Sequence, residues 1–207
     1  MTPYCVHMTA VFLLCGVIGS LLFVITFLID GATRPGYRPV RHPVSALALG
    51  SRGWVQTTNF IVCGLLMTAG ALGILLATEH PWLALAAAVF GLSLVASGVF
   101  PMDPMRGYPP GTPEGTPEDT SRTHGLHDWA GMGVFAALPV TTFIATLQST
   151  DLLSTVYSGA TTAALVVLFF SFGQAWENDA PRTGLIQRVM IIIGWVWFAV
   201  FCGSLLV

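Results

Sequence analysis

Six long apolar stretches, separated by polar gaps, dominate the chain. They cover approximately Thr9–Ile29, Trp54–Thr78, Trp82–Pro101, Trp129–Leu147, Leu152–Gln174 and Val189–Leu206. Each is free of charged residues and approaches the ~20 residues that a helix needs to cross a hydrocarbon core. Because lipid offers no hydrogen-bond partner to a bare peptide group, we predict an all-α membrane protein. The expected fold is a six-transmembrane-helix bundle, formed as a single domain by residues 1–207.

The basic residues are confined to alternate gaps. All eight are arginines, and they lie in the gaps 30–53, 101–128 and 176–188, which follow the first, third and fifth stretches. The other two gaps are short, at residues 79–81 and about 148–151. The positive-inside rule therefore places the long gaps in the cytoplasm and both termini outside it, with the bundle in a prokaryotic cytoplasmic membrane.

Composition narrows the class of protein further. The chain is 54% hydrophobic and 9% charged, whereas soluble domains are about a quarter charged. Acids offset the arginines and leave a net charge of -2. That balance favours ion pairs within the protein over a patch that binds nucleic acid. The expected partners are the lipid bilayer and a lipophilic small molecule, and the oligomeric state is left open.

The first long gap contains signals for compact local structure. Pro35, Gly36 and Pro39 favour turns, and Pro43 can start a short apolar helix that Gly50 ends. At about nine residues this segment is too short to span a bilayer, so we expect it to fold back over the bundle. In the second gap, residues 108–120 are rich in Pro, Gly and Thr and predict an irregular loop.

The gaps also carry a family resemblance. The run DGATRPGYRPVRHPVSALALGSRGWVQTTNF, then SGVFPMDP and THGLHDWAG, resembles a family of prokaryotic membrane proteins known as domain of unknown function 998. The resemblance covers nearly the whole chain. It implies a six-helix membrane domain with these motifs at one end, and it brings no established activity.

Ionisable residues at the stretch ends are the candidates for chemistry. Asp30 and Asp103 end the first and third stretches, and His42 lies in the first gap. His124 and His127 are three residues apart and would share one helix face. We name these five as candidate catalytic residues, because a carboxyl group in a dry pocket has a raised pKa and can donate a proton. The candidates for substrate binding are Asn59, Trp54 and Tyr37.

Each candidate also has a structural interpretation. The acids can be neutralised by arginines of the gaps, the two histidines can cap a helix entrance, and Asn59 can bond to a neighbouring helix. A metal site needs three or four ligands, and only two histidines lie together. Haem needs histidines deep inside facing helices, and all five lie in gaps or termini. We therefore expect no metal and no cofactor.

Three functions fit this pattern. The leading hypothesis is a small membrane enzyme that performs proton-transfer chemistry, of isomerase, cyclase or lyase type, on a lipid or isoprenoid substrate. The 11% aromatic content would suit a terpene cyclase-like reaction, because aromatic faces stabilise carbocations. The alternatives are a transporter of small molecules or ions and a non-catalytic scaffold or lipid-sensing subunit. A lipid-sized cavity near Asp103 and His124 would favour the enzyme, and a continuous polar path would favour the transporter.

Overall fold

Six long helices account for most of the chain. The computed structural model describes residues 3–206. The helices are α1 (Pro3–Thr33), α2 (Gly53–Thr78), α3 (Pro81–Val99), α4 (Arg122–Gln148), α5 (Leu152–Glu177) and α6 (Thr183–Ser204). All six are long and apolar enough to cross a membrane. The predicted all-α membrane protein with a six-helix bundle is confirmed.

Several helices extend beyond the apolar stretches that predicted them. α4 begins at Arg122 rather than near Trp129, because the Ser121 side chain caps it by accepting the backbone N–H of His124 at 3.1 Å. α6 begins at Thr183 rather than Val189. A hydropathy pattern detects only the part of a helix that lies in hydrocarbon, so it does not include the polar first turns of α4 and α6.

The helices pack as a closed ring in chain order. Each contacts the next, and α6 returns to contact α1. Aromatic side chains fill the centre between α1, α2, α3 and α6. The Trp195 ring lies 5.2 Å from the Phe23 ring and 4.7 Å from the Phe90 ring, and Phe60 lies 5.6 Å from Phe23. This half of the bundle is therefore tightly filled.

The other half is looser. In its most apolar window, α5 buries 17% of its residues, whereas α6 buries 56%. α5 contacts α4 and α6, its neighbours in the ring. The wall that α4 and α5 form is consequently where the bundle has room for a cavity.

The three arginine-bearing gaps meet at one end of the bundle, which we call the arginine end. Arg41 of the first gap pairs with Glu114 of the second (3.1 Å) and with Asp179 of the third (3.3 Å). Arg106 also pairs with Asp179, at 3.4 Å. These pairs join the gaps into one polar layer across the bundle.

The short helix predicted after Pro43 is present as a 3₁₀ helix, Val44–Ala48. Gly50 follows it with φ +74°, a conformation that favours glycine. Val44 and Leu47 are buried, and the segment contacts α1, α2 and α6. It is shorter than the expected nine residues, but it folds back onto the bundle as predicted. Residues 109–120 are irregular.

Candidate functional site

A cleft of about 760 Å³ lies between α4 and α5 near the arginine end. Its polar lining comes from the start of α4, the end of α5, the segment after Pro43 and Gln187 of α6. Phe170 and Met132, which also line the cleft, are 69% and 51% exposed. The cleft therefore reaches the outer, lipid-facing surface of the bundle.

One ring nitrogen of His127 is hydrogen-bonded to the protein, and the other has no hydrogen-bond partner among the described residues. Its Nδ1 lies 2.7 Å from the carbonyl oxygen of Phe100 and 3.2 Å from that of Ser97. Carbonyl groups only accept hydrogen bonds, so Nδ1 must carry a proton. In the neutral imidazole, Nε2 is then an acceptor, and no partner for it exists among the described residues. His127 is 7% exposed and lines the cleft.

His124 has the opposite tautomer. The backbone N–H of Asp103 donates to its Nδ1 at 3.0 Å, so Nδ1 must be unprotonated. Nε2 therefore carries the proton, and it lies 3.4 Å from Oδ2 of Asp128. His124 and Asp128 also line the cleft. One acceptor nitrogen and one donor nitrogen, one helical turn apart, thus serve the same cavity.

Asp103 holds His124 in place from outside the cleft. Its carboxylate accepts the backbone N–H of Ser121 at 2.6 Å and the Ser121 hydroxyl at 2.7 Å. These hydrogen bonds lower the pKa of Asp103 below its ordinary value. That is the opposite direction from the one a proton donor needs. Asp103 orients the first turn of α4 and is not among the residues that line the cleft.

The body of the cleft is apolar and roomy. Phe135 of α4 and Phe169 and Phe172 of α5 line it, and the Phe135 and Phe172 rings contact each other with their centroids 5.6 Å apart. Gly131 and Gly173 lie on the two walls, and a Cβ atom built on either glycine meets nothing within 4 Å. Space at these positions belongs to the cavity, because helices in close contact would leave none.

A smaller chamber of about 40 Å³ continues from the cleft into the core. His127, Gln187 and Phe135 line both spaces. Trp195 also lines the chamber, and its Nε1 is buried without a hydrogen-bond partner among the described residues. The chamber is large enough for one water molecule.

Asp30 lies elsewhere at the arginine end, in a closed ion-pair cluster. It is 2% exposed, pairs with Arg34 one turn along α1, and accepts Arg52 Nη2 at 2.7 Å. Arg34 also donates to the carbonyl oxygens of Leu47 (3.0 Å), Leu49 (3.1 Å) and Arg52 (2.9 Å). The cluster fastens the 3₁₀ segment to the bundle.

His42 and Tyr37 occupy a second closed cluster. His42 Nδ1 accepts the Arg38 backbone N–H at 3.0 Å, and Nε2 donates to the Arg106 carbonyl at 3.2 Å. Burial lowers the pKa of His42. The Tyr37 hydroxyl donates to the Pro43 carbonyl at 2.9 Å and accepts from Arg188. Burial raises the pKa of Tyr37 to about 12, so this hydroxyl stays protonated.

The other two candidates for substrate binding also lie away from the cleft. Asn59 Nδ2 donates to the Phe23 carbonyl at 3.2 Å, which joins α2 to α1, and its Oδ1 accepts the Cys63 thiol. Trp54 is 68% exposed on α2, where an amphipathic ring suits the membrane interface. The structure therefore brings His124 and His127 to the cavity, with Asp103 in support.

Gln187 is a cleft residue that was not among the sequence-based candidates. Its Oε1 accepts the Val44 backbone N–H at 2.6 Å, which ties α6 to the 3₁₀ segment beside the cleft. A signal was available: Gln187, Ile191 and Trp195 are four residues apart and share one helix face. All three line the inner chamber.

The arrangement suits proton transfer more directly than metal binding. Within residues 3–206, no group of three or more His, Cys, Asp or Glu side chains is placed to hold a metal ion. The two histidines instead present one proton acceptor and one proton donor to a largely apolar cavity.

Comparison with known proteins identifies the family of the chain but no individual relative. No curated protein and no solved structure matches the chain. The sequence model of the family described as "Protein of unknown function (DUF998)" matches residues 17–204. The match covers most of the chain and confirms the resemblance carried by the polar gaps. The chain belongs to this family of unknown function.

Proposed function

We propose that this protein is a small membrane enzyme that moves protons to and from carbon on a lipophilic substrate held in the α4–α5 cleft. The opposite tautomers of His124 and His127 carry the proposal. General acid–base chemistry needs one group that can take a proton and one that can give a proton, both within reach of the substrate. His127 Nε2 takes the proton and, as an imidazolium, can return a proton to another carbon, while the neutral His124 ring donates a hydrogen bond from Nε2–H to the substrate.

The supporting hydrogen bonds fix these roles. Protonation of His127 at Nε2 leaves its Nδ1 bond to Phe100 intact, so the ring can accept a proton without turning. Asp128 lies 3.4 Å from the donor nitrogen of His124, and the Asp103 N–H on Nδ1 keeps the ring in its neutral form with the proton on Nε2. Asp103 is a positioning residue, since it contacts His124 and not the cavity.

The apolar body of the cleft supports a lipid or isoprenoid substrate. A chain lying along Phe135, Phe169 and Phe172 can enter from the membrane through the surface at Phe170. Aromatic faces would also stabilise positive charge that develops on such a chain, as a cyclase-type reaction requires.

Solvent deuterium incorporation tests the proposal. Membranes containing the protein are incubated in D₂O, and extracted lipids are analysed by mass spectrometry for deuterium at carbon. We expect incorporation that depends on the protein and falls about 10²- to 10⁴-fold in His127→Asn and His124→Asn. Asparagine can keep the structural hydrogen bond that Nδ1 makes in each case, and it removes Nε2.

The matched control is His80→Asn, an exposed histidine at the opposite end of the bundle. It should leave incorporation unchanged. Equal incorporation by wild type and both cleft variants would rule out the assigned roles. Incorporation absent from wild type, together with protein-dependent uptake of a solute, would favour the transporter. Lipid binding without exchange would favour the lipid-sensing subunit.

We propose the prokaryotic cytoplasmic membrane as the location, with the arginine end in the cytoplasm. Arg182 and Glu79 are exposed at opposite ends of the bundle. In a cysteine-free background, an impermeant thiol reagent added to intact cells should label Glu79→Cys and not Arg182→Cys. The reverse labelling would invert the assignment.

A further inference from the structure

The polar end of the α4–α5 cleft carries carboxylates and no arginine. Besides the two histidines, the ionisable residues that line it are Asp128 and Glu177. Asp128 pairs with His124, and Glu177 forms no ion pair among the described residues. Three other acids at the arginine end are each paired with arginine: Asp30, Glu114 and Asp179. The two acids of the cleft therefore have no arginine partner among the described residues.

A second observation concerns hydrogen bonding rather than charge. His127 is 7% exposed, and its open Nε2 is an acceptor without a partner in the described structure. This open nitrogen lies on the cleft, where it can take a proton from whatever occupies the cavity. The deep end of the cleft thus points to a ligand independently of the carboxylates, which determine the charge of its head.

Arginine charge near the cleft is already neutralised. The Arg106 guanidinium stacks on the Trp176 ring, 3.9 Å from its centroid, and pairs with Asp179 at 3.4 Å. It also donates to the Trp176 carbonyl oxygen. Arg106 is therefore committed to these partners and does not offset Asp128 and Glu177.

We infer that the cleft takes an amphiphile with a cationic, hydrogen-bond-donating head: a long-chain amine drawn from the bilayer. The inference rests on the proposed function, because it names the substrate class of the same site. The ammonium group donates to Asp128 and Glu177, the first carbons of the chain lie at His127 Nε2, which stays available as the base, and the rest of the alkyl chain lies along Phe135 and Phe169. A phosphate or carboxylate head would meet like charge at Asp128 and Glu177.

Photolabelling with matched probes tests the inference. Three lipids with the same diazirine-bearing alkyl chain and an amine, a hydroxyl or a carboxylate head are added to the full-length protein in phosphatidylcholine nanodiscs. Labelled peptides are then identified by mass spectrometry. We expect the amine to label α4 near Gly131 and α5 near Phe172, about tenfold more strongly than the carboxylate. Stronger labelling there by the carboxylate or the hydroxyl probe would overturn the inference.

Variants connect the labelling to the named groups. Asp128→Asn and Glu177→Gln should each weaken amine labelling about 2- to 5-fold, because exposed charge pairs contribute modestly. Both side chains are exposed, so folding should be retained. Glu118→Gln and Asp119→Asn, exposed acids of the irregular loop, are the matched controls and should have no effect. Amine labelling that survives the double variant Asp128→Asn/Glu177→Gln at full strength would also overturn the inference.

Two glycine variants test the location of the bound amine. Gly131→Leu should fill the cleft and abolish amine labelling, whereas Gly125→Leu should not. Both glycines lie on α4 with open space for a Cβ atom, and Gly125 does not line the cleft. Labelling that persists in Gly131→Leu would place the amine elsewhere and refute the site.

The two proposals can fail separately. Amine binding with the expected variant pattern but without deuterium exchange would refute the acid–base enzyme and leave the substrate class standing. Deuterium exchange into a neutral or anionic lipid, blocked by Gly131→Leu, would refute the amine and leave the enzyme standing.

Discussion

The two sides of the arginine end use similar residues in different ways. On the side of α1, α2 and α6, Asp30 is enclosed by Arg34 and Arg52, and His42 uses both ring nitrogens. On the side of α4 and α5, His127 leaves one nitrogen open. On the first side the polar atoms make internal contacts, whereas on the second His127 Nε2 has no partner among the described residues.

The difference shows that burial and charge alone do not identify a site. Asp30 and His127 are both buried ionisable residues at the same end of the bundle. What separates them is the number of unused polar atoms and the presence of open space beside them. Substitutions should therefore affect stability on the first side and ligand chemistry on the second.

The largest stability effect is expected for Asp30→Asn. It leaves the buried Arg34 without its counter-charge, and breaking a buried pair in this way costs roughly 3–5 kcal/mol. Unfolding by denaturant in detergent measures the loss, with the exposed loop acid in Asp119→Asn as the control. If His127→Asn proved as destabilising as Asp30→Asn, the expected difference in stability effects between the two sides would be wrong.

A smaller effect should distinguish two glycines. A Cβ atom on Gly64 would lie 2.8 Å from the Gly91 carbonyl oxygen and the Val95 nitrogen, both backbone atoms of α3. We expect Gly64→Ala to destabilise the protein by about 1–3 kcal/mol through overpacking. Gly131→Ala, which faces the open cleft, should change stability by less than about 1 kcal/mol. Equal shifts in melting temperature would show that the cleft closes in solution.

The smallest expected effect is a pH dependence of stability that is caused by the titration of His42. Burial and the nearby Arg41 and Arg38 lower its pKa, whereas Glu114 acts in the opposite direction. The fold therefore favours neutral His42. This contribution to stability is complete above the ordinary pKa of 6.5 and is lost as the pH falls through the lowered value.

Melting temperatures at about pH 7.5 and about pH 5 measure this effect. Wild type should lose stability on acidification, and His42→Asn should lose less, because its side chain does not titrate. His80→Asn should behave like wild type, since His80 is exposed at the opposite end of the bundle. An unchanged loss in His42→Asn would assign the pH dependence to other groups.

The sequence predicts the helices well because hydrophobic length is a local property. The turn at Gly50 and the start at Pro43 are likewise local, and both are present. The histidine tautomers are different, because they depend on where the carbonyl of Phe100 and the N–H of Asp103 lie after α3 packs on α4. No spacing within α4 contains that information.

Two glycines also show that the sequence does not reveal which helix a residue faces. Gly64 and Gly131 look alike in the sequence, as small residues that favour close helix packing. Gly64 fulfils that expectation against α3, whereas Gly131 borders the cavity. Only the position of the facing helix separates them, and the roles assigned to the site residues remain predictions for the experiments above.

The contact of α6 with the first gap also sets an order of events during synthesis. The Gly184 and Leu185 N–H groups donate to the Arg41 and Val40 carbonyls, and Gln187 accepts from Val44, far earlier in the chain. A ribosome that adds about 5–20 residues per second needs on the order of ten seconds to deliver these partners. Until then, the nascent chain exposes an unfinished cleft, and a membrane-inserted precursor without its last helix should be a preferred target for quality-control proteases.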